Sequence, residues 1–130
     1  MKQKVHSVSY LAKAEFEFKN GVYDLVALPT GAEVVKVSLE VVGGGPTTSG
    51  SVNVGFKDEP RKDYFLAIDN ILSIDNISRN ILSSFTSSKD YTATSNKVVV
   101  AEVLSANDSD NVKGVLRVLY FLPSVIEVEY

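Results

Sequence analysis

The chain has 130 residues, 45% of them hydrophobic and 22% charged, with a net charge of −3 and an isoelectric point near 5.1. That length fits one domain, residues 1–130, with enough apolar side chains to pack a core and too few residues for two. Cysteine is absent, which excludes disulfides, thiolate nucleophiles and Cys-based metal sites, and thirteen Lys and Arg spread along an acidic chain give no basic footprint for nucleic acid.

Period-two alternation dominates from the start. His6, Val8 and Tyr10 alternate with Ser7 and Ser9, and Phe16 and Phe18 with Glu15, Glu17 and Lys19. Asn20-Gly21 follows at once, and Asn-Gly between two β-rich runs predicts a hairpin with Val22 to Ala27 as its return strand. Pro29-Thr30-Gly31 marks a second turn, after which Val35, Val37, Leu39 and Val41 share a face against Lys36, Ser38 and Glu40. Gly43 to Gly50 is a polar loop, and Val52, Val54 and Phe56 resume the alternation.

From Asp69 to Phe85 the pattern changes. Ile71, Ile74, Ile77, Ile81, Leu82 and Phe85 fall on one arc of a helical wheel, broken by Ser78, and Asp69 could cap such a helix. A short helix within 69–85 is the expectation, with an irregular loop and brief strands as the alternative. Val98 to Leu104 is rich in β-branched residues, Asn107 to Asn111 is a turn cluster, Val112 to Leu122 is a long strand, and Val125 to Tyr130 alternates Ile126, Val128 and Tyr130 with two glutamates. Seven or eight strands at this spacing predict an all-β sandwich or jelly roll.

Chemistry finds little to work with. His6, the only histidine, would have to serve any Ser-His-Asp triad, and it sits on a strand pattern near the amino terminus. One His without Cys leaves zinc only carboxylates, which it does not favour. Asp58, Glu59 and Asp63 read as solvated residues, and Asp108 and Asp110 as a turn without the ligand register of a calcium loop. Gly43-Gly44-Gly45 lacks the Lys-Ser/Thr and helix of a phosphate cradle. The expectation is therefore no catalytic residue, no metal and no cofactor. The amino-terminal residues carry no apolar run of a secretion signal, and no stretch approaches the roughly 20 apolar residues of a membrane span, so synthesis in a cytoplasm without membrane partners is expected.

Four segments, in order, resemble small virion proteins of tailed bacteriophages. Leu28-Pro29-Thr30-Gly31-Ala32 launches the strand through Val41; Ser51 to Phe56 precedes Asp63-Tyr64-Phe65-Leu66-Ala67; Lys97 to Leu104 forms a strand; and Lys113 to Phe121 contains Gly114-x-x-Arg117-Val118. Together they span about Gly21 to Leu122. The resemblance implies a jelly-roll β-sandwich of about eight strands and an oligomeric, non-enzymatic protein on the virion's capsid exterior. It implies a cement or decoration protein clamping major capsid protein subunits, with a homo-trimer plausible from capsid threefold positions. A tail or fibre component with a host-adhesion role is the alternative, and a small hydrolase on a sandwich the rival of a different class. The region 69–94 and the strand beyond Pro123 depart from the family pattern. Interface anchors are expected among Tyr64, Phe65, Ile77, Phe85 and Tyr91 of the irregular middle, and Ile126, Val128 and Tyr130 of the tail. Terminal strands at a sheet edge could pair within one chain or add to another subunit.

Overall fold

A computed structural model describes residues 2–6, 8–43, 49–69, 81–106, 112–122 and 125–129; residues 2–6, 81–83 and 125–129 are described as backbone strands alone. Among the described residues there are eleven strands and no helix: β1 (Lys2–His6), β2 (Ser9–Glu17), β3 (Gly21–Leu28), β4 (Glu33–Val42), β5 (Ser51–Phe56), β6 (Leu66–Ile68), β7 (Ile81–Ser87), β8 (Tyr91–Thr92), β9 (Lys97–Leu104), β10 (Lys113–Phe121) and β11 (Val125–Glu129). Two antiparallel sheets form the sandwich. One has the order β2-β10-β4-β7 with β8 beside β7 along β4, and the other the order β3-β9-β5-β6. The pairs nest as 2 with 10, 3 with 9, 4 with 7 and 5 with 6, so the chain is one long hairpin wrapped on itself, which is a jelly roll. Outside the sandwich, β1 and β11 pair antiparallel and carry the same nesting one step further.

Alternation makes the core. Ala14, Phe16, Val37, Leu39, Leu116 and Val118 of one sheet face Val26, Val52, Val54, Val99, Ala101 and Val103 of the other. Every buried residue among those described is apolar, and each Val or Leu so placed contributes about 1.5–3 kcal/mol.

Three sequence expectations change. Asn20-Gly21 does not close a hairpin, because β2 and β3 belong to different sheets. Gly21 has φ +147°, outside the left-handed helical well of the hairpin turn, and the Asn20 side chain accepts a bond from Ala106 N–H at 2.8 Å. The dipeptide turns a corner between sheets. Val35 is also not on the core face. The register skips it between Lys36 and Val34, a β-bulge that turns Val35 outward and buries Val34 instead. Finally, the expected helix within 69–85 is contradicted over its last turn, where Ile81 to Phe85 belong to β7 and pair with β4; the positions 70–80 lie outside the described residues. Ladder bonds to β4 and burial of Phe85 against the core outweigh a helical periodicity carried by poor helix formers. The segment 81–94, which departs from the family pattern in sequence, thus supplies two strands of the sandwich itself.

The turn at Pro29-Thr30-Gly31 forms as expected, with Ala32 N–H donating to Pro29 C=O at 3.1 Å and Gly31 at φ +90°.

Candidate assembly surfaces

Aromatic side chains gather where β4 begins and β5 ends. Phe56 closes β5, the following loop returns with Tyr64 and Phe65, and Tyr91 stands on β8 opposite Val34. Phe56 lies 4.5 Å from Tyr91 and 5.3 Å from both Tyr64 and Phe65, centroid to centroid, while Tyr64 meets Phe65 edge-on at 5.0 Å. The Tyr64 hydroxyl donates to Asp90 C=O at 2.9 Å and Lys89 Nζ sits 4.1 Å above its ring. Burial, then the Asp90 charge, raise the Tyr64 pKa above its ordinary value. Beside the cluster, Lys97 donates to Asp58 at 2.6 Å; that bond lowers the Asp58 pKa and raises that of Lys97.

The eight sequence-predicted anchors fare differently. Phe65 is buried, and Tyr64, Phe85 and Tyr91 are half-buried against the core. Three of these four, Tyr64, Phe65 and Tyr91, meet in the one cluster; Phe85 lies on the inner face of β7 opposite Leu39. Ile77 and Tyr130 lie outside the described residues, and Ile126 and Val128 occupy backbone positions in β11. Among the described residues no three carboxylate or imidazole groups converge to hold a metal, and no helix is long and apolar enough to cross a membrane.

A second surface escaped the sequence reading. Across the same end of the five-stranded sheet, Tyr10 of β2 stacks on Tyr120 of β10 at 5.7 Å, and Tyr120 pairs with Val34. On the outer face just beyond, Leu11 pairs with Leu119, which pairs with Lys36. Leu11 is 63% exposed, Tyr10 46% and the bulged Val35 38%. Leu11, Leu119, Lys36, Ser38 and Arg117 line a depression of about 290 Å³, and Arg117 is tied to Glu40 on its far side. The signal was present in strand phase. Phe16 sets the inward phase of β2 and leaves Leu11 outward; Lys113 and Arg117, the charged residues of β10, mark the outward phase that Leu119 shares. A shallower groove of about 600 Å³ follows the β2–β3 seam, lined by Glu15, Phe16, Val22, Tyr23, Asp24, Leu25 and Lys57, with Lys57 bonded to Asp24 at 2.7 Å.

The solved structures that resemble the chain include two phage capsids. A chain in the acidic stable capsid structure of Helicobacter pylori bacteriophage KHP30 is 72% identical, with 100% of each chain covered and a TM-score of 0.86. A chain of the cyanophage Pam1 capsid asymmetric unit shares the fold at a TM-score of 0.65 and 20% identity, with 88% of this chain and 85% of that one covered. No family model and no curated protein matches the sequence.

Proposed function

The chain belongs to the family of bacteriophage capsid structural proteins represented in the KHP30 shell, and on that premise we propose that it is a cement protein. It acts as one non-enzymatic jelly-roll domain that sits on the capsid exterior and clamps neighbouring major-capsid subunits. One observation supports the reading beyond the family: of the five large hydrophobic side chains exposed among the described residues, Tyr10, Leu11 and Val35 stand at one end of the five-stranded sheet, while Val22 and Leu104 lie apart on the other sheet. A subunit that builds a closed shell needs adhesive surfaces on several sides. A module whose exposed apolar side chains gather mainly at one end of a sheet suits docking on a shell already made. Its benefit is thermodynamic: a ligand that binds the assembled lattice and not free subunits stabilises the lattice by mass action.

The test is sedimentation of purified protein with capsids that lack it, and separately with free major-capsid subunits. Binding to capsids alone, with a higher temperature of genome release, is the expected result. Equal binding to free subunits, or density confined to the tail in particle images, overturns the proposal.

A further inference from the structure

We propose that the outer face of β2, β10 and β4 receives a protein segment that presents carboxylates beside an apolar side chain, and that this segment belongs to the capsid surface on which the chain docks. Strand register lays the face out in rows. Leu11, Leu119 and Lys36 form one row across β2, β10 and β4, and Lys13, Arg117 and Ser38 form the next. All but Lys13 line the depression of about 290 Å³, and Lys13 is exposed at its rim beside Arg117. The two lysines thus stand at opposite corners of a floor that holds two leucines.

Charge on this face breaks a pattern that the same two strands keep elsewhere. At the far end of the ladder Lys113 of β10 stands opposite Glu17 of β2, a cation against an anion. At the depression Arg117 stands opposite Lys13, and like charges directly opposite each other across a ladder are destabilising. Glu40 takes up the Arg117 guanidinium. Lys13 and Lys36 have no ion-pair partner among the described residues; Glu15 faces the same way two positions along β2 and does not pair with Lys13. Leu11, between them and solvent, is 63% exposed. Unneutralised cations around an open leucine cost the free chain stability, and a partner that brings the missing anions and covers the leucine recovers it. A phosphate backbone fits less well, because it needs a long basic track. Here two lysines flank a leucine floor on a chain of net charge −3.

This chemistry rests on the cement reading, and the two can fail separately. Capsids that lack the protein are sedimented with the parent and with Lys13→Gln, Lys36→Gln, the two combined, and Leu11→Ser. Lys19→Gln, in the corner after β2, controls for net charge. The double lysine variant should bind several-fold more weakly than the parent and lose less affinity as salt rises, since exposed ion pairs are screened. Leu11→Ser should weaken binding and keep the parent's salt dependence, and Lys19→Gln should bind as the parent does. Lys13→Gln removes the like-charge pair with Arg117, so its thermal midpoint should equal or exceed the parent's, which separates lost contact from lost fold. A lower midpoint overturns the inference. Capsid binding unchanged in the double variant also overturns it and leaves the cement reading standing, whereas a parent that does not bind capsids sinks both. A mass by light scattering that falls in the double variant while capsid binding holds gives the face to a second copy and overturns the inference as well.

Discussion

Gly55 and Gly114 hold their places because a neighbour occupies the space a side chain would take. A Cβ on Gly55 would lie 2.6 Å from the backbone of Lys62 and 2.7 Å from that of Asp63, where the β5–β6 loop folds over the outer face of its sheet. A Cβ on Gly114 would overlap the ring of Phe16, its cross-strand partner, which also stacks on Tyr23 at 5.3 Å. Each glycine-to-alanine change should cost about 1–3 kcal/mol in urea unfolding. The two differ in what relieves them. Phe16→Leu should recover part of the Gly114→Ala loss in a double-mutant cycle, whereas the obstacle at Gly55 is backbone and no side-chain change should help. Asp58 gives a residue-scale test of pH. Its pKa is lowered in the folded chain by the bond from Lys97, so the stabilisation is present above the ordinary value of 3.8 and is lost as pH falls through the lower folded value. The Lys97 pKa is raised, so its share is lost only as pH climbs past 10.5. The unfolding midpoint of Asp58→Asn should therefore lie below that of the parent by a constant amount between about pH 5 and pH 9, and converge with it in strong acid.

Strands were legible wherever one face is buried and the other wet, because burial then enforces period two. β2, β5 and most of β4 emerged from their alternation, and β9 from its β-branched residues. What escaped was set by partners distant in sequence. Nothing local to Val34-Val35 shows that β10 pairs across a bulge there, so Val35 was read as core and Val34 was not. Val34→Ala should cost roughly 2 kcal/mol, and Val35→Thr should stay within about 0.5 kcal/mol of the parent by chemical denaturation. Likewise, the isoleucines from Ile71 to Ile81 carry a helical rhythm, but at Ile81 to Phe85 the open edge of β4 recruits the chain as a strand. The Asn20-Gly21 turn was visible and its consequence was not, since a corner between sheets and a hairpin use the same residues and differ in what the flanking strands pair with. Of the candidate surfaces, the aromatics were chosen by residue type, and that choice selects for core: Tyr64, Phe65 and Tyr91 pack on one another. Leu11 and Leu119 are ordinary residues in an unusual phase, legible only after the inward phase is known.

At the scale of the molecule, the buried interior holds no ionisable side chain among the described residues, so protonating carboxylates leaves the core intact. The folded state should persist to about pH 3, read as retained near-ultraviolet circular dichroism and a cooperative melt; loss of cooperativity near pH 4 would show that carboxylates hold the fold together. The nested pairing of strands has a further consequence, for the order of events during synthesis. β2 has no sheet neighbour until β10 is made, and β3 waits for β9, so the five-stranded sheet stays open until translation passes Phe121. Folding dominated by such distant pairings runs on a scale of about milliseconds to seconds. The adhesive end is also assembled last, since Leu11 meets Leu119 only when β10 reaches it. A nascent chain therefore cannot display the finished patch, and the ability to bind arrives together with the completed fold.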